Sequence, residues 1–352
     1  MDGNIVAISD LHIGAPSSLL TLRTVRKRLI EVLAECGDIS EFILLGDILD
    51  LTMAPRADAW NQAYDFFREL FGAVAQDANI HYVPGNHDHH VWTLLLEQRD
   101  IVSRLTAQLC EPDAPDSRPV IEPLRLTGEF GPKNNTFAHM LFPEDARKRV
   151  WIRYPFFKLP CGGRPLLCHH GHYFDTKITP LAGKVARKFK EDLEKVEECN
   201  YVVLEGLFYF ASLGRTSWEF LTKGYWYYEL LGHMLNLLTE IGVEAPKVGR
   251  QTIKHLSAKY VMDIIRDLFL EKSYVLVFGH THRWGELVDR TDTIRMYNTG
   301  GWLVEEKVLH QRERMPAIFC ADDGKCRLIP FEIKAGEIEK VAAIVRNVSP
   351  IR

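Results

Sequence analysis

The sequence predicts an α/β fold whose sheets contain parallel strands. Between residues 4 and 83, three apolar, strand-like runs are separated by two amphipathic, helix-like segments, and this alternation is typical of βαβ units. Each run is followed by a polar cluster that holds Asp, Asn or His. Because α/β sheets bind ligands beyond the carboxyl ends of their parallel strands, these clusters indicate the functional edge of the sheet.

The first part of the chain gives the clearest elements. The predicted strands cover residues 4–9, 42–45 and 80–83, and the predicted helices cover 17–36 and 58–76. The first helix is indicated by apolar residues at three- and four-residue steps, including Val25 and Leu29, with serine before it and Gly37 after it.

The later elements are further apart in the sequence. We expect a loop at 111–119, strands at 165–168 and 274–278, and a mainly helical segment from 177 to 272. Residues 294–298, 317–320 and 326–333 read as β-hairpin strands, with a turn at 322–324.

The amino-acid composition disfavours several classes of protein function. The 352 residues are 46% hydrophobic and 26% charged, with a net charge of −4, which is typical of a globular protein. The chain has no net basic excess, so no nucleic-acid partner is expected and a nuclease is disfavoured. Seven cysteines include no C-x-x-C pair, which favours reduced thiols and a cytoplasmic location. No apolar stretch reaches the length of a transmembrane helix.

Five polar clusters follow apolar strand-like runs in a consistent order along the chain. They are Asp10-x-His12, Gly46-Asp47-x-x-Asp50, Gly85-Asn86-His87-Asp88, His170-Gly171-His172 and Gly279-His280-Thr281-His282. Together they resemble the signature of the calcineurin-like metallophosphoesterase superfamily. The resemblance implies a four-layer α/β/β/α sandwich of two mixed sheets with flanking helices. It also implies two metal ions at the strand ends.

The same resemblance implies a ligand set. One ion would be bound by Asp10, His12, Asp47 and His282, and the other by Asp47, Asn86, His170 and His280, with Asp47 bridging. This mixture of imidazole, carboxylate and amide donors suits two divalent transition-metal ions per chain, with Mn preferred and Fe, Zn, Co or Ni as alternatives. If the extended strand geometry continues through the i, i+2 pairs, both side chains of each pair face the site.

The catalytic residues implied by the resemblance are His87 and Asp50. His87 would stabilise charge on the phosphoryl group or protonate the leaving oxygen, and Asp50 would orient its imidazole. A metal-bridging hydroxide would be the nucleophile. Asn86, His172 and Arg283 are the predicted substrate contacts. His169, His89 and His90 are expected to have packing or helix-start roles, and Asp88 is disfavoured as the residue that orients His87.

The reaction predicted is hydrolysis of a phosphoester or pyrophosphate bond in a small molecule. Ile8-Ser9-Asp10-Leu11-His12 and Gly279-His280-Thr281-His282-Arg283 are also similar to UDP-2,3-diacylglucosamine pyrophosphohydrolases, which place Arg where this chain has His87. A lipid-linked pyrophosphate is therefore an alternative substrate. A non-catalytic binding scaffold on the same fold is the alternative from a different functional class.

The domain prediction is a catalytic domain, residues 1–176 and 273–352, interrupted by a helical, aromatic-rich cap insertion at 177–272. Ten of the 28 residues from 201 to 228 are aromatic. This segment is either a structural subdomain or a cap that lines an apolar pocket for an amphiphilic substrate. Peripheral contact with a membrane through the cap is a further expectation.

Overall fold

The structure is a computed structural model that describes most of the predicted catalytic domain. The described residues are 3–51, 56–103, 126–174, 273–288, 293–304 and 316–348, together with positions 194, 197, 198, 200, 201, 204 and 205. The predicted loop at 111–119 and the rest of the predicted cap at 177–272 lie outside them. No helix within the described part of the chain is long and apolar enough to cross a membrane.

The described strands and helices alternate along the first half of the chain. The strands are β1 (Asn4–Ile8), β2 (Ile39–Leu45), β3 (Asn79–Val83), β4 (Gly128–Phe130), β5 (Val150–Tyr154), β6 (Phe156–Cys161), β7 (Arg164–His169), β8 (Tyr274–Phe278), β9 (Gly285–Val288), β10 (Ile294–Asn298), β11 (Ala317–Asp322) and β12 (Lys325–Pro330). The helices are α1 (Arg23–Ala34), α2 (Arg56–Ala73), α3 (His90–Glu97), α4 (Thr136–Leu141), α5 (Glu144–Arg147) and α6 (Ala335–Val348).

The strands form two mixed sheets. The first sheet has the order β12-β11-β1-β2-β3-β5-β4, and the second has the order β6-β7-β8-β10-β9. Parallel pairing joins β1, β2, β3 and β5 in the first sheet and β7, β8 and β10 in the second. The remaining pairs are antiparallel. The predicted fold class, two mixed sheets flanked by helices, is confirmed.

The apolar runs are continuous because both faces of the first sheet are buried. Side chains alternate between the faces of a strand, so Val6 and Ile8 of β1 pack in the cluster with the helices, including Val25 and Leu29 of α1. Ile5 and Ala7 of the same strand pack in a second cluster, against the second sheet. The two sheets therefore share one apolar layer.

The first helix in the structure differs from the predicted helix in its first turn. Leu19–Thr21 form a 3₁₀ turn whose N-cap is Ser18, with the Ser18 side chain accepting a hydrogen bond from the Leu20 amide at 3.2 Å. The α-helix begins only at Arg23 and buries Val25, Leu29 and Leu33. The serine cap thus starts the short turn, and the apolar spacing identifies the buried face of the helix that follows.

Two hairpin turns contact each other at the amino-terminal end of β7. A Cβ atom built on Gly162, in the turn between β6 and β7, would lie 2.5 Å from the Cα atom of Gly324, in the turn between β11 and β12. Gly163 has no atom within 4 Å of the equivalent position. The φ angles of Gly162 and Gly163 are +56° and +80°. The two glycines therefore share a left-handed backbone but differ in their contacts.

We predict that Gly162→Ala destabilises the protein more than Gly163→Ala. Both substitutions place a side chain at positive φ, but only the first drives a methyl group into another backbone, and overpacking of this kind costs about 1–3 kcal/mol. Urea unfolding of the two variants measures the difference. Equal free energies of unfolding would show that the hairpin turns do not pack closely.

Candidate metal centre

The predicted ligands follow parallel strands of both sheets. Asp10 and His12 follow β1, while Asp47 follows β2. Asn86 follows β3, His170 comes directly after β7, and His280 and His282 follow β8. Because the carboxyl ends of these strands meet at one edge of the sandwich, loops from the two sheets bring their polar side chains together there.

The backbone at the ligands departs from the extended geometry expected from the sequence. The strands end at Ile8 and Phe278, before the ligands begin. Five of the predicted ligands have positive φ: Asp10 (52°), His12 (47°), Asp47 (50°), His280 (71°) and His282 (54°). Non-glycine residues rarely adopt this conformation, and where it occurs it is concentrated at functional sites. The i, i+2 pairs therefore converge through left-handed turns and not through strand alternation.

The first group of candidate ligands consists of Asp10, His12 and His282, whose ligand atoms lie within 4.8 Å of one another. His12 Nε2 is 3.1 Å from His282 Nε2, and His282 Nε2 is 3.5 Å from Asp10 Oδ1. Asp10 accepts hydrogen bonds from the His280 amide, at 3.0 Å to each oxygen, and from the Ser9 hydroxyl. These bonds orient the carboxylate toward the two imidazoles.

The second group consists of Asp47, His170 and His280, within the same 4.8 Å limit. His170 Nε2 lies 3.4 Å from Asp47 Oδ2, 3.3 Å from His280 Nδ1 and 3.1 Å from Asn86 Oδ1. Asp47 Oδ2 is also 3.8 Å from His12 Nε2 of the first group. Asp47 therefore lies between the two groups, as the bridging role requires.

The donor atoms fit two divalent ions. Asp50 Oδ2 lies 3.0 Å from His12 Nδ1, and the Leu45 carbonyl lies 3.0 Å from His170 Nδ1. When those nitrogens donate, the Nε2 lone pairs of His12 and His170 face the other ligands, and hydrogen bonding of this kind normally fixes a metal-binding histidine. Neutral imidazoles with carboxylate and amide oxygens suit transition metals.

His87 lies beside this centre and is oriented by Asp50. His87 Nδ1 is 3.3 Å from Asp50 Oδ2, and the His87 and His12 rings meet edge to face at 4.8 Å. The same Asp50 oxygen contacts His12. Asp50 thus contacts a candidate ligand as well as His87, whereas the resemblance pairs it with His87 alone.

Neighbouring charges lower the pKa of Asp47 and raise the pKa of His87. Burial raises the pKa of Asp47, but the positive charges of His170 and His87 outweigh it and hold that pKa well below its usual range. Burial lowers the pKa of His87, but the carboxylates of Asp50 and Asp47 outweigh it and raise that pKa to about 9. Without bound ions, the carboxylates and histidines of the site therefore stabilise each other's charged forms, whereas a histidine that binds an ion must give up its proton.

Asp88 joins the loops after β2 and β3, a role that the sequence did not indicate. Its Oδ2 accepts hydrogen bonds from the Ile48 amide at 2.8 Å and the Tyr82 hydroxyl at 2.5 Å. Its Oδ1 accepts one from the Gly85 amide at 2.6 Å. The amides of residues 47 and 49 also donate to it, each at 3.3 Å. Asp88 therefore supports the ligand loops and does not contact His87 through these bonds.

A third loop supports the site without supplying a ligand. Thr299 Oγ1 lies 2.5 Å from Ser9 Oγ, and Asn298 donates to the Gly279 carbonyl at 3.0 Å and to Thr281 Oγ1 at 3.0 Å. Asn298 is the last residue of β10 and Thr299 follows it, so this polar cluster stands at a strand end like the other clusters. Asn298 is one of the residue types that mark the other clusters, but no Asp or His accompanies it in Asn298-Thr299-Gly300.

The remaining predicted residues lie at the margin of the centre. His172 is fully buried, with its ring parallel to that of Tyr154 at 6.1 Å and 5.7 Å from that of His170. A supporting role behind His170 fits this position better than the predicted contact with a substrate. Arg283 is partly exposed next to His282, and its contact with a substrate stays a prediction.

The neighbouring histidines have structural partners. His169 Nδ1 accepts a hydrogen bond from the Gly171 amide at 2.9 Å. His89 and His90 are at the start of α3, where their Nδ1 atoms lie 2.5 Å and 3.3 Å from the Glu205 carboxylate. These positions agree with packing and helix-start roles.

The fold and the centre define a class: a two-sheet α/β protein with a candidate metal site at its strand ends. The chain belongs to the calcineurin-like phosphoesterase family, whose model matches residues 3–284. A comparison with curated proteins found no match.

Solved structures with similarity to this chain cover nearly all of it at low identity. Phosphopantetheinyl hydrolase (PptH) from Mycobacterium tuberculosis is 16% identical, with a TM-score of 0.35 over 93% of this chain and 95% of that one. Hypothetical protein PH1004 from Pyrococcus horikoshii OT3 is 12% identical, with a TM-score of 0.40 over 97% and 93%. Vps29 complexed with zinc, from Entamoeba histolytica, is 12% identical, with a TM-score of 0.34 over 94% and 99%.

We predict that Asp88→Asn lowers the free energy of unfolding by about 1–3 kcal/mol. Both carboxylate oxygens accept hydrogen bonds, whereas the asparagine side chain has one acceptor and would turn its NH₂ group toward other donors. Urea unfolding measures the change. The control is Asp145→Asn, at an exposed position, which should change stability by less than about 0.5 kcal/mol. Equal effects would remove Asp88 from this supporting role.

Proposed function

We propose that this protein is a hydrolase of phosphoester or pyrophosphate bonds in small molecules and that it depends on two divalent transition-metal ions, such as Mn²⁺. One observation carries the proposal: Asp47 lies between two groups of candidate ligands, with the His87–Asp50 pair beside them. A non-catalytic scaffold binds its partners through its surface and does not require an oriented proton donor. The pairing of His87 with Asp50 therefore favours catalysis.

The candidate ligands fall into two sets, one for each proposed ion. Asp10, His12 and His282 would hold one ion with Asp47, while Asn86, His170 and His280 would hold the other with the same carboxylate. When bound, the ions activate water and neutralise charge that develops on the phosphoryl oxygens.

His87 supplies the acid. Asp50 contacts its Nδ1 at 3.3 Å, so the other ring nitrogen can carry the proton for the leaving oxygen. The carboxylates of Asp50 and Asp47 outweigh the effect of burial and raise the pKa of His87 in the protein alone, whereas the positive charge of bound ions would lower it again, so that the imidazole could both hold and release a proton. A protonated imidazole beside the substrate both attracts the phosphoryl group and donates the proton.

Exposure indicates the side from which a substrate arrives. The side chains of His12 and His170 have 0% exposure, whereas those of His87 and His282 are 25% and 21% exposed. The buried histidines form the floor of the centre, and the exposed ones form its rim. A phosphate that enters over this rim meets His87 before it meets the buried ligands.

The first functional prediction concerns metal and turnover together. Asp47→Asn should abolish hydrolysis and reduce the bound metal, because it removes the negative charge shared by both groups. Elemental analysis and turnover of mono-, di- and pyrophosphate esters with added Mn²⁺ measure the two effects. Chelation of the wild type should remove activity, and Mn²⁺ should restore it. An Asp47→Asn protein with two ions and normal turnover would refute the proposed ligand set.

The second functional prediction separates proton transfer from ligation. His87→Ala should retain the metal and lower kcat by about 10²–10⁴-fold, the usual effect of a lost acid or base. Since His87 also lies within 4.8 Å of the ligand atoms of His12 and Asp47, a parallel loss of metal would make it a ligand instead. His139→Ala, at an exposed histidine, is the control.

The companion variant Asp50→Asn tests the contact that the structure adds. Because Asp50 touches His12 as well as His87, this variant should lower both kcat and metal affinity, by about 10–100-fold each. A defect in kcat alone would mean that the His12 contact has no effect on the ions.

A further inference from the structure

Two cysteines that are far apart in the sequence meet where the hairpin turns of the two sheets touch. The sulfur atoms of Cys161 and Cys326 are 3.6 Å apart. Cys161 is the last residue of β6, next to Gly162, and Cys326 is in β12, two residues after Gly324. The backbone contact between Gly162 and Gly324 therefore brings the two thiols together.

The two thiols differ in access to solvent. Cys161 is 5% exposed and belongs to the apolar layer between the sheets, while Cys326 packs against that layer and is partly exposed. The other described cysteines, Cys36, Cys168 and Cys320, are all buried. A reagent in solution therefore reaches Cys326 first, and Cys161 is in contact with the sulfur that has reacted.

We propose that Cys161 and Cys326 are a site of reversible disulfide formation that links the two sheets. A disulfide has an S–S distance of about 2.05 Å, so the sulfurs must approach by about 1.5 Å from their present contact. Both residues lie close to hairpin turns. The bond would connect β6, an edge strand of the second sheet, to β12, an edge strand of the first.

The reaction needs an oxidant, and a small disulfide such as oxidised glutathione supplies it. The thiolate of Cys326 attacks one sulfur of the small disulfide, forming a mixed disulfide and releasing one small thiol. The thiolate of Cys161 then attacks the Cys326 sulfur and releases the second small thiol. The protein loses two hydrogens, and one small disulfide becomes two thiols.

The position of the pair separates this modification from the metal centre. Strand β7 begins at Arg164, beside the hairpin turn, and ends at His169, next to the ligand His170. The cysteines therefore lie at the opposite end of the strands from the ligands. A bond between them should change the stability of the sandwich and leave turnover unchanged.

The experiment treats the full chain with oxidised glutathione and maps its peptides by mass spectrometry. The expected product is a peptide pair joined through Cys161 and Cys326, with the loss of two titratable thiols. The cross-link encloses a long segment of chain, so Tm should rise, on the order of 5 °C, and dithiothreitol should reverse the rise. Turnover before and after oxidation should agree.

Three variants make the result specific. Cys161→Ser and Cys326→Ser should each abolish both the cross-link and the Tm increase, whereas Cys168→Ala, in the same apolar layer, should retain them. Cys326→Ser changes a partly exposed residue and keeps the test valid if Cys161→Ser fails to fold. A stable glutathione adduct on Cys326, a cross-link between other cysteines, no reaction, or a Tm increase that persists in Cys326→Ser would each refute the proposal.

Discussion

The site depends on keeping the Asp47 carboxylate charged inside the protein. An isolated buried carboxylate is strongly unfavourable, and Asp47 is 1% exposed. It is stabilised by imidazoles on both sides and by the His87 amide, which donates to its Oδ1 at 2.8 Å. Each partner comes from a different loop, so the loops must hold their positions for the charge to be tolerated.

The sandwich meets this requirement by bringing strand ends together from two sheets. Its apolar layers fix the strands, and the hydrogen bonds of Asp88 then fix two of the loops relative to each other. The left-handed residues at the ligands cost on the order of 1 kcal/mol each. The surrounding layers compensate for that cost, and the backbone consequently holds the candidate ligands in place.

The strands and the candidate ligands could be predicted from the sequence because both have local signals. An apolar run such as residues 42–45 predicts a buried strand, and the two aspartates that follow it, Asp47 and Asp50, predict a loop of the candidate metal site. The left-handed turns at Asp10 and His280 had no such signal, since a two-residue spacing is also typical of a strand. The double contact of Asp50 and the pairing of Cys161 with Cys326 depend on long-range geometry, which no local pattern contains.

The two ends of the strands differ in their effect on stability. At the carboxyl ends, charged side chains and left-handed backbone oppose folding, and the proposed function would require both. At the far end of β7, Gly162 and Gly324 allow two backbones to touch, and the nearby Cys161 and Cys326 pack in or against the apolar layer between the sheets. Stability can therefore be adjusted there without moving a ligand. A disulfide between Cys161 and Cys326 lies where it can strengthen the contact between the sheets, and the length of the strands keeps it apart from Asp47.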